Sequence, residues 1–177
     1  MLYTAVNYKK GPIALRYPRG SALGVPLKDG FTLIEIGKSE RLKEGDDVVF
    51  LAIGSMVNYS LKAAEKLEAK GISCEIINMR FAKPLDTERL DDISERYSKV
   101  VTLEENVLTG GFGSAVIEYF NDKNYKNFVL RIGLPDSFID HGTQEELHNL
   151  LGIDPDGIAN KVITFCKNPS INQEVPV

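Results

Sequence analysis

The sequence is poor in the residues that bind metal ions or form disulfide frameworks. Its 177 residues include two cysteines, Cys74 and Cys166, and two histidines, His141 and His148. The cysteines do not share a CxxC spacing, and these four side chains do not make up an ordinary zinc site. We interpret both cysteines as reduced thiols, which are typical of a cytoplasmic protein.

Long apolar runs and an excess of basic residues are also lacking. No apolar run approaches the roughly 20 residues that a membrane-spanning helix needs, and the opening residues MLYTAVNYKKGP do not have the basic-then-apolar order of a signal peptide. The net charge of -4 argues against nucleic acid or an anionic membrane as the main partner, because both bind basic surfaces. The hydrophobic fraction of 43% is sufficient for the core of one ordinary domain.

Four short apolar runs alternate with amphipathic helical patterns over residues 48–167. The runs cover residues 48–53, 72–78, 99–105 and 127–133, and the helical patterns cover residues 55–71, 85–97, 113–122, 143–152 and 155–167. This alternation requires crossover connections, which predict a mostly parallel sheet with helices on both faces. The run FTLIEIG, residues 31–37, predicts a further strand at one edge. The predicted fold class is therefore α/β, with a mostly parallel, five-stranded twisted sheet.

Polar residues mark the predicted helix ends. Ser55 is a candidate N-cap of the first helix, and either Asp86 or Thr87 is the candidate N-cap of the second. Thr143 is followed three residues later by Glu146, a spacing that predicts a capping box.

The first 30 residues do not continue this alternation. The segment PIALRYPRG, residues 12–20, predicts a single short strand with no partner nearby in sequence, and SALGVPLKDG, residues 21–30, is rich in turn-forming residues. We therefore predict that residues 1–20 are the tail of one domain, residues 21–30 a linker, residues 31–167 a complete second domain and residues 168–177 a loose tail.

The glycine cluster GGFGSAV follows the third apolar run and opens a helix, where a dinucleotide-binding loop belongs. The fingerprint of such a loop requires a glycine where Val116 stands, and no Lys-Ser or Lys-Thr pair follows. Glu104 and Glu105 would repel a phosphate, which disfavours a phosphate cradle. The favoured interpretation is a backbone corner at which Gly113 lets the helix pack closely on the strand. A subunit or domain contact made by Glu104, Glu105 and Asn106 stays open.

Arg16 and Arg19 stand at a predicted strand end in the motif RYPRG. In an extended chain, residues three positions apart point to opposite faces. One guanidinium can then pair within the protein. The other can project at the edge where open sheets bind ligands, and there it can bind a phosphate. An ordinary surface or interdomain ion pair is the alternative, and on the residues alone it is favoured.

Other charged residues have structural interpretations. Arg80 and Lys83, in NMRFAKPLD, are expected to form ion pairs with the two glutamates of the glycine corner rather than a substrate site. His141 is interpreted as a packing or hydrogen-bonding residue, with a proton carrier as the alternative. His148 lies inside a predicted helix and is expected to face solvent.

Five blocks of the sequence occur in an order and spacing that resemble a known family. The blocks are GPIALRYPRG, LAIGSMV, INMRFAKPLD, VVTLEENVLTGGFGSAV and IGLPDSFIDHGTQEEL. Together they resemble the C-terminal third of the 1-deoxy-D-xylulose-5-phosphate synthases, which are thiamine-diphosphate enzymes of the transketolase superfamily. Single blocks are shared loosely with transketolases and with the β subunits of 2-oxoacid dehydrogenases.

The resemblance implies a reaction for the parent protein. Pyruvate adds to thiamine diphosphate and loses carbon dioxide, and the resulting enamine attacks glyceraldehyde 3-phosphate. The product, 1-deoxy-D-xylulose 5-phosphate, supplies isoprenoid, thiamine and pyridoxal biosynthesis. The family also implies a Mg²⁺ ion at the cofactor, a homodimer of the full-length protein and a cytoplasmic location.

The same resemblance implies that the chemistry lies outside this chain. The GDG…N motif for magnesium and diphosphate is absent, and EGDD, residues 44–47, is a turn. We therefore expect no catalytic, cofactor-binding or metal-binding residue here, and an inactive isolated chain that binds neither thiamine diphosphate nor Mg²⁺. Arg19 matches the family's arginine that binds the phosphate of glyceraldehyde 3-phosphate, although Ser21 stands where the family often has asparagine. The alternatives are a C-terminal subunit of a split transketolase and a non-catalytic assembly module.

Overall fold

Strands and helices alternate along most of the chain. The computed structural model describes residues 1–18, 24 and 29–168. Within these residues the strands are β1 (Glu40–Lys43), β2 (Val48–Ala52), β3 (Cys74–Asn78), β4 (Lys99–Val107) and β5 (Phe128–Leu134). The helices are α1 (Leu2–Asn7), α2 (Met56–Glu68), α3 (Thr87–Arg96), α4 (Phe112–Asp122), α5 (Gln144–Leu151) and α6 (Pro155–Lys167). None of the helices in the described ranges is both long and apolar enough to span a bilayer.

The strands form one sheet in the order β1-β3-β2-β4-β5. β2 pairs in parallel with both β3 and β4, and β4 pairs in parallel with β5. β1 pairs antiparallel with β3 at the edge, where Glu40 lies opposite Asn78. The predicted α/β class with a mostly parallel, five-stranded sheet is confirmed.

Helices cover both faces of the sheet, which explains why β2 is apolar at every position. Val48, Phe50 and Ala52 face the core beneath α2 and α6. Val49 and Leu51 face a second core beneath α3 and α4. The sheet is therefore a rigid layer, and its strand ends are fixed points on which a site can be built.

The position of the edge strand was predicted wrongly. Residues 31–36 form no strand, and Phe31 and Leu33 are 81% and 64% exposed. The edge strand is instead the charged segment Glu40–Lys43. A strand forms where a partner is available, and here β3 supplies the partner to residues 40–43. The charged side chains of β1 keep this edge from pairing with other chains.

The region before the sheet also differs from its prediction. Residues 12–18 form no strand, and α1 was not predicted. Thr4 of α1 accepts a hydrogen bond from the backbone N–H of Ile34 at 2.9 Å, and Tyr3 stacks on Phe31. Arg19, most of the predicted linker and nearly all of the predicted loose tail lie outside the described residues, and the domain boundaries stay predictions.

Candidate functional site at the carboxyl edge of the sheet

Polar side chains converge where the parallel strands end. β4 carries Glu104 and Glu105, Ser55 stands between β2 and α2, and α5 brings Gln144 and His148 to the same edge. In open α/β sheets this edge is the usual place for ligands. This edge is therefore the candidate site, and the hydrogen bonds of its side chains show which groups they contact.

Glu104 binds the N-terminus of α4. The residue is 1% exposed, and its two carboxylate oxygens accept hydrogen bonds from the backbone N–H groups of Phe112 at 2.7 Å and Gly113 at 2.8 Å. Burial raises the pKa of Glu104, and the two backbone hydrogen bonds and the charges of Arg131 and Arg16 oppose this rise. A carboxylate of the protein itself thus occupies the helix N-terminus that would otherwise attract an anion.

The glycines of the corner make this contact possible. A Cβ atom on Gly113 would lie 2.5 Å from Thr102 Oγ1, and a Cβ atom on Gly111 would overlap the carboxylate of Glu104. The interpretation of GGFGSAV as a backbone corner, with Gly113 allowing close packing of helix on strand, is confirmed. Within the described residues no dinucleotide loop is formed here.

Glu105 points to the opposite side of β4 and joins α2 to α5. Its carboxylate accepts hydrogen bonds from Ser55 Oγ and, at 2.7 Å, from Gln144 Nε2, and it lies 3.2 Å from His148 Nε2. Burial acts to raise the pKa of Glu105, but the hydrogen bonds from Ser55, Gln144 and His148 outweigh it and hold the pKa below its usual range. Tyr59 Oη completes the chain at 3.2 Å from His148 Nδ1. We call these five residues the Glu105 cluster.

Two predictions about this cluster were wrong. His148 is 4% exposed and does not face solvent, because the side of α5 that carries it packs against Tyr59. Ser55 is the N-cap residue of α2 by position, but its hydroxyl makes no capping hydrogen bond and binds Glu105 instead. The four-residue spacing of Gln144 and His148, which places both on one helix face, was the signal that could have identified the cluster.

The predicted ion pairs of Arg80 and Lys83 with the strand-end glutamates are also wrong. Arg80 pairs with Glu40 of β1, since β1 lies beside the end of β3 on the far side of the sheet. His141 is exposed beside the N-terminus of α5 and lines an open groove there with Leu147 and Leu150. The capping box of Thr143 and Glu146 and the Asp86 cap of α3 are confirmed.

Arg16 connects the preceding segment to this edge. Its Nη2 atom donates a hydrogen bond to the backbone oxygen of Glu105 at 3.4 Å. Arg16 is thus the arginine of the RYPRG motif that pairs within the protein, whereas Arg19 lies outside the described residues.

The described residues do not fit the magnesium and diphosphate of thiamine diphosphate. Among residues 1–18, 24 and 29–168, no group of three or more histidine, cysteine, aspartate or glutamate side chains is placed to hold a metal ion. A diphosphate at the glycine corner would have to displace the carboxylate of Glu104 and would lie near Glu105. We therefore derive no catalytic step through this cofactor on these residues.

Comparison with known proteins identifies the family. Residues 37–158 match the family described as transketolase, C-terminal domain. The chain belongs to the transketolase C-terminal domain family. Its five-stranded, mostly parallel sheet with helices on both faces is therefore the sheet of a transketolase C-terminal domain.

Curated relatives connect this domain to a particular group of enzymes. The 1-deoxy-D-xylulose-5-phosphate synthase of Microcystis aeruginosa is 49% identical over 164 residues, which are 92% of this chain and 26% of that protein. The synthase of Aquifex aeolicus is 49% identical over 162 residues, again 92% of this chain and 26% of that protein. The resemblance found in the sequence blocks is confirmed, and the chain spans about a quarter of the length of these relatives.

Solved structures agree on the fold. A split-gene transketolase, described as an inactive β4 tetramer, superposes with a TM-score of 0.71 at 34% identity, covering 77% of this chain and 44% of that chain. The transketolase of Campylobacter jejuni superposes with a TM-score of 0.53 at 20% identity, covering 72% of this chain and 18% of that chain. The second likeness shows the shared fold alone.

Proposed function

We propose that this chain is the C-terminal portion of a thiamine-diphosphate-dependent, Mg²⁺-requiring 1-deoxy-D-xylulose-5-phosphate synthase. The full-length enzyme would condense pyruvate with glyceraldehyde 3-phosphate and release carbon dioxide, in the cytoplasm and as a homodimer. The observation that carries the proposal is the 49% identity to curated synthases over 92% of this chain. The product would enter isoprenoid and thiamine biosynthesis.

Within that enzyme, this chain contributes scaffold, assembly contacts and one substrate contact. The carboxyl edge supports a scaffold role, because its acids bind α2, α4 and α5 of the same chain. Arg19 is the proposed ligand of the glyceraldehyde 3-phosphate phosphate group, on the strength of the RYPRG block. A planar guanidinium suits this task, since it donates two parallel hydrogen bonds to a phosphate.

Steady-state kinetics of the full-length enzyme test the substrate contact. We expect Arg19→Ala to raise KM for glyceraldehyde 3-phosphate by roughly 10- to 150-fold, the equivalent of about 1.5–3 kcal/mol for a charge-assisted contact. KM for pyruvate should stay almost unchanged, because pyruvate has no phosphate. Arg41→Ala, which removes a half-exposed arginine of β1, is the control. An equal rise of KM for both substrates would indicate a structural role for Arg19 instead.

Calorimetry of the 177-residue chain tests where the cofactor binds. We expect no heat of binding on titration with thiamine diphosphate and Mg²⁺, because the described residues offer no site for the diphosphate. Tight binding by this chain alone would refute the assignment of the chemistry to other domains.

A subunit of a split transketolase is the second candidate. The 34% identical structure of a split-gene transketolase favours it. Under this alternative, the chain would co-purify with a separately encoded partner, and mixing the two purified proteins would restore activity. Under the first proposal, both parts belong to one polypeptide, and no separately encoded partner should co-purify.

A further inference from the structure

The helix α5 lies over the carboxyl edge but buries little apolar surface there. His148 is the one buried residue among its eight, Leu147 is only partly buried, and Leu150 is 73% exposed. Isolated helices shorter than about 12–15 residues are marginal in water, so α5 depends on contacts with the rest of the domain. Because apolar burial is scarce, its polar side chains have to supply much of that support.

The polar contacts of α5 converge on one carboxylate. Gln144 Nε2 donates to Glu105 Oε1 at 2.7 Å, and His148 Nε2 lies 3.2 Å from the same oxygen. The other carboxylate oxygen of Glu105 accepts a hydrogen bond from Ser55 Oγ, which ties the carboxylate to the segment before α2. Tyr59 of α2 adds a contact of 3.2 Å between its Oη atom and His148 Nδ1. The first turns of α5 are thus bound to the sheet through Glu105.

The two ends of α5 are held differently. Residues 140–143, before the helix, are exposed and form neither helix nor strand. At the other end, Leu151 packs against the core beneath α2 and α6, and its backbone oxygen accepts a hydrogen bond from Lys161 Nζ of α6 at 3.1 Å. Gly152 follows with a φ of 61°, in the left-handed region that glycine adopts at helix ends. The C-terminal end is therefore fixed to α6, and Gly152 is the point about which the rest of α5 can turn.

We propose that α5 is a movable cover of the carboxyl edge, which opens and closes about Gly152, and that the carboxylate of Glu105 holds it closed. Segments with few buried apolar contacts open locally, at a lower free energy than unfolding of the whole domain. Opening breaks the contacts of Gln144 and His148 and exposes Glu105 and Ser55 to solvent. This device belongs to the domain itself and does not depend on the proposed function.

The charge of Glu105 fits this role. Burial acts to raise the pKa of Glu105, but hydrogen bonds from Ser55, Gln144 and His148 hold it below its usual range. Two of these three donors belong to α5, so closure of the helix favours the ionised carboxylate, and the ionised carboxylate in turn favours closure.

Hydrogen exchange of the 177-residue chain, measured amide by amide at several low urea concentrations, tests this inference. The amides of Leu147 and Gly152, which are hydrogen-bonded in α5 and at its end, report the opening of α5. The amides of β2, the central strand, report unfolding of the whole domain. Glu105→Gln removes the charge of the proposed contact, and Gln144→Ala removes one of its donors. Glu104→Gln is the matched control, because Glu104 is the adjacent acid of β4 and binds α4 instead.

In the wild type we expect a lower free energy of opening for the α5 amides than for the β2 amides, and a weaker dependence on urea, since a local opening exposes less surface. Glu105→Gln should speed exchange in α5 about 5- to 30-fold, because hydrogen bonds to a charged acceptor are stronger than those to a neutral one. Gln144→Ala should speed it about threefold, and by less in the Glu105→Gln background, since both changes break the same contact. Glu104→Gln should speed exchange in β2 and leave α5 unchanged, because the contact of Glu104 with α4 persists when α5 opens.

Three results would overturn the inference. Equal opening free energies and equal urea dependence for α5 and β2 would mean that α5 opens only when the whole domain unfolds. Unchanged exchange of α5 in Glu105→Gln, or in Gln144→Ala if the first variant does not fold, would mean that Glu105 does not hold the helix closed. A Glu104→Gln variant that speeds exchange in α5 as much as Glu105→Gln would mean that both acids support the domain as a whole.

Discussion

Removal of the Glu104 side chain should destabilise the domain, because this side chain holds the first turn of α4. Glu104 is 1% exposed, and its carboxylate accepts two backbone hydrogen bonds, at 2.7 and 2.8 Å, from the first turn of α4. Glu104→Ala would leave the N–H groups of Phe112 and Gly113 without acceptors in a buried place. Glu104→Gln would keep one acceptor but turn an NH₂ group towards the second N–H.

The size of the loss follows from these contacts. Each buried N–H donor left without an acceptor costs about 1–3 kcal/mol. Burial of the charge, which raises the pKa of Glu104, is itself unfavourable, and its removal offsets part of this cost. We therefore expect Glu104→Ala to lower the free energy of unfolding by about 2–4 kcal/mol. Glu104→Gln should lower it by about 1–3 kcal/mol, the cost of one unsatisfied buried donor.

Urea denaturation of the 177-residue chain, followed by circular dichroism, measures these changes. Hydrogen exchange at the amides of Phe112 and Gly113 reports whether the first turn of α4 opens. Glu118→Ala, an exposed substitution on the same helix, should change stability by less than about 0.5 kcal/mol. A Glu104→Ala variant as stable as the Glu118→Ala control would refute the view that Glu104 holds the corner.

Two further predictions concern packing and pH. Gly113→Ala should lower the free energy of unfolding by about 1–2 kcal/mol, because its Cβ would lie 2.5 Å from Thr102 Oγ1 and this clash outweighs the better helix propensity of alanine; a melting temperature at or above that of the wild type would contradict it. Burial acts to raise the pKa of Asp86, but hydrogen bonds from Ser39 and Arg89 outweigh it and lower that pKa. The ionised Asp86 therefore stabilises the fold above its unfolded pKa of about 3.9, and this stabilisation is lost as pH falls through the lower folded pKa. Asp86→Asn should therefore lower the free energy of unfolding by about 1 kcal/mol at pH 7. In urea titrations at several pH values, the variant should also lose less stability than the wild type below about pH 4. An equal loss of stability below about pH 4 in both proteins would contradict this assignment.

The central strands could be predicted from the sequence because their signals are local. β2 is apolar at all five positions, and such a run flanked by helical patterns has few alternatives to a buried parallel strand. The capping box of Thr143 and Glu146 could be predicted for the same reason, since both partners lie within four residues. Within the described residues, these local patterns are sufficient to predict the succession along the chain of β2 to β5 and of the helices between them.

The edge strand and the Glu105 cluster could not be predicted because they depend on distant partners. Phe31 and Leu33 alternate like a strand but have no strand beside them, whereas residues 40–43 form one because Asn78 and its neighbours accept them. His148 is buried because Tyr59, 89 residues away in sequence, and Glu105, 43 residues away, both contact it. A pattern within α5 shows that Gln144 and His148 share a face, but it does not show what that face contacts.

The two strand-end acids connect the fold to the proposed function. In an open α/β sheet, an empty helix N-terminus at the carboxyl edge would attract a phosphate. Glu104 fills that position from within the chain, and Glu105 binds α5 on the other side of the strand. The N-terminus of α4 is therefore not open to an anionic ligand. Arg16 reaches the same edge, but its guanidinium contacts the backbone oxygen of Glu105. In the described residues, the two acids thus bind the helices of their own chain, and this supports the scaffold role proposed for the carboxyl edge.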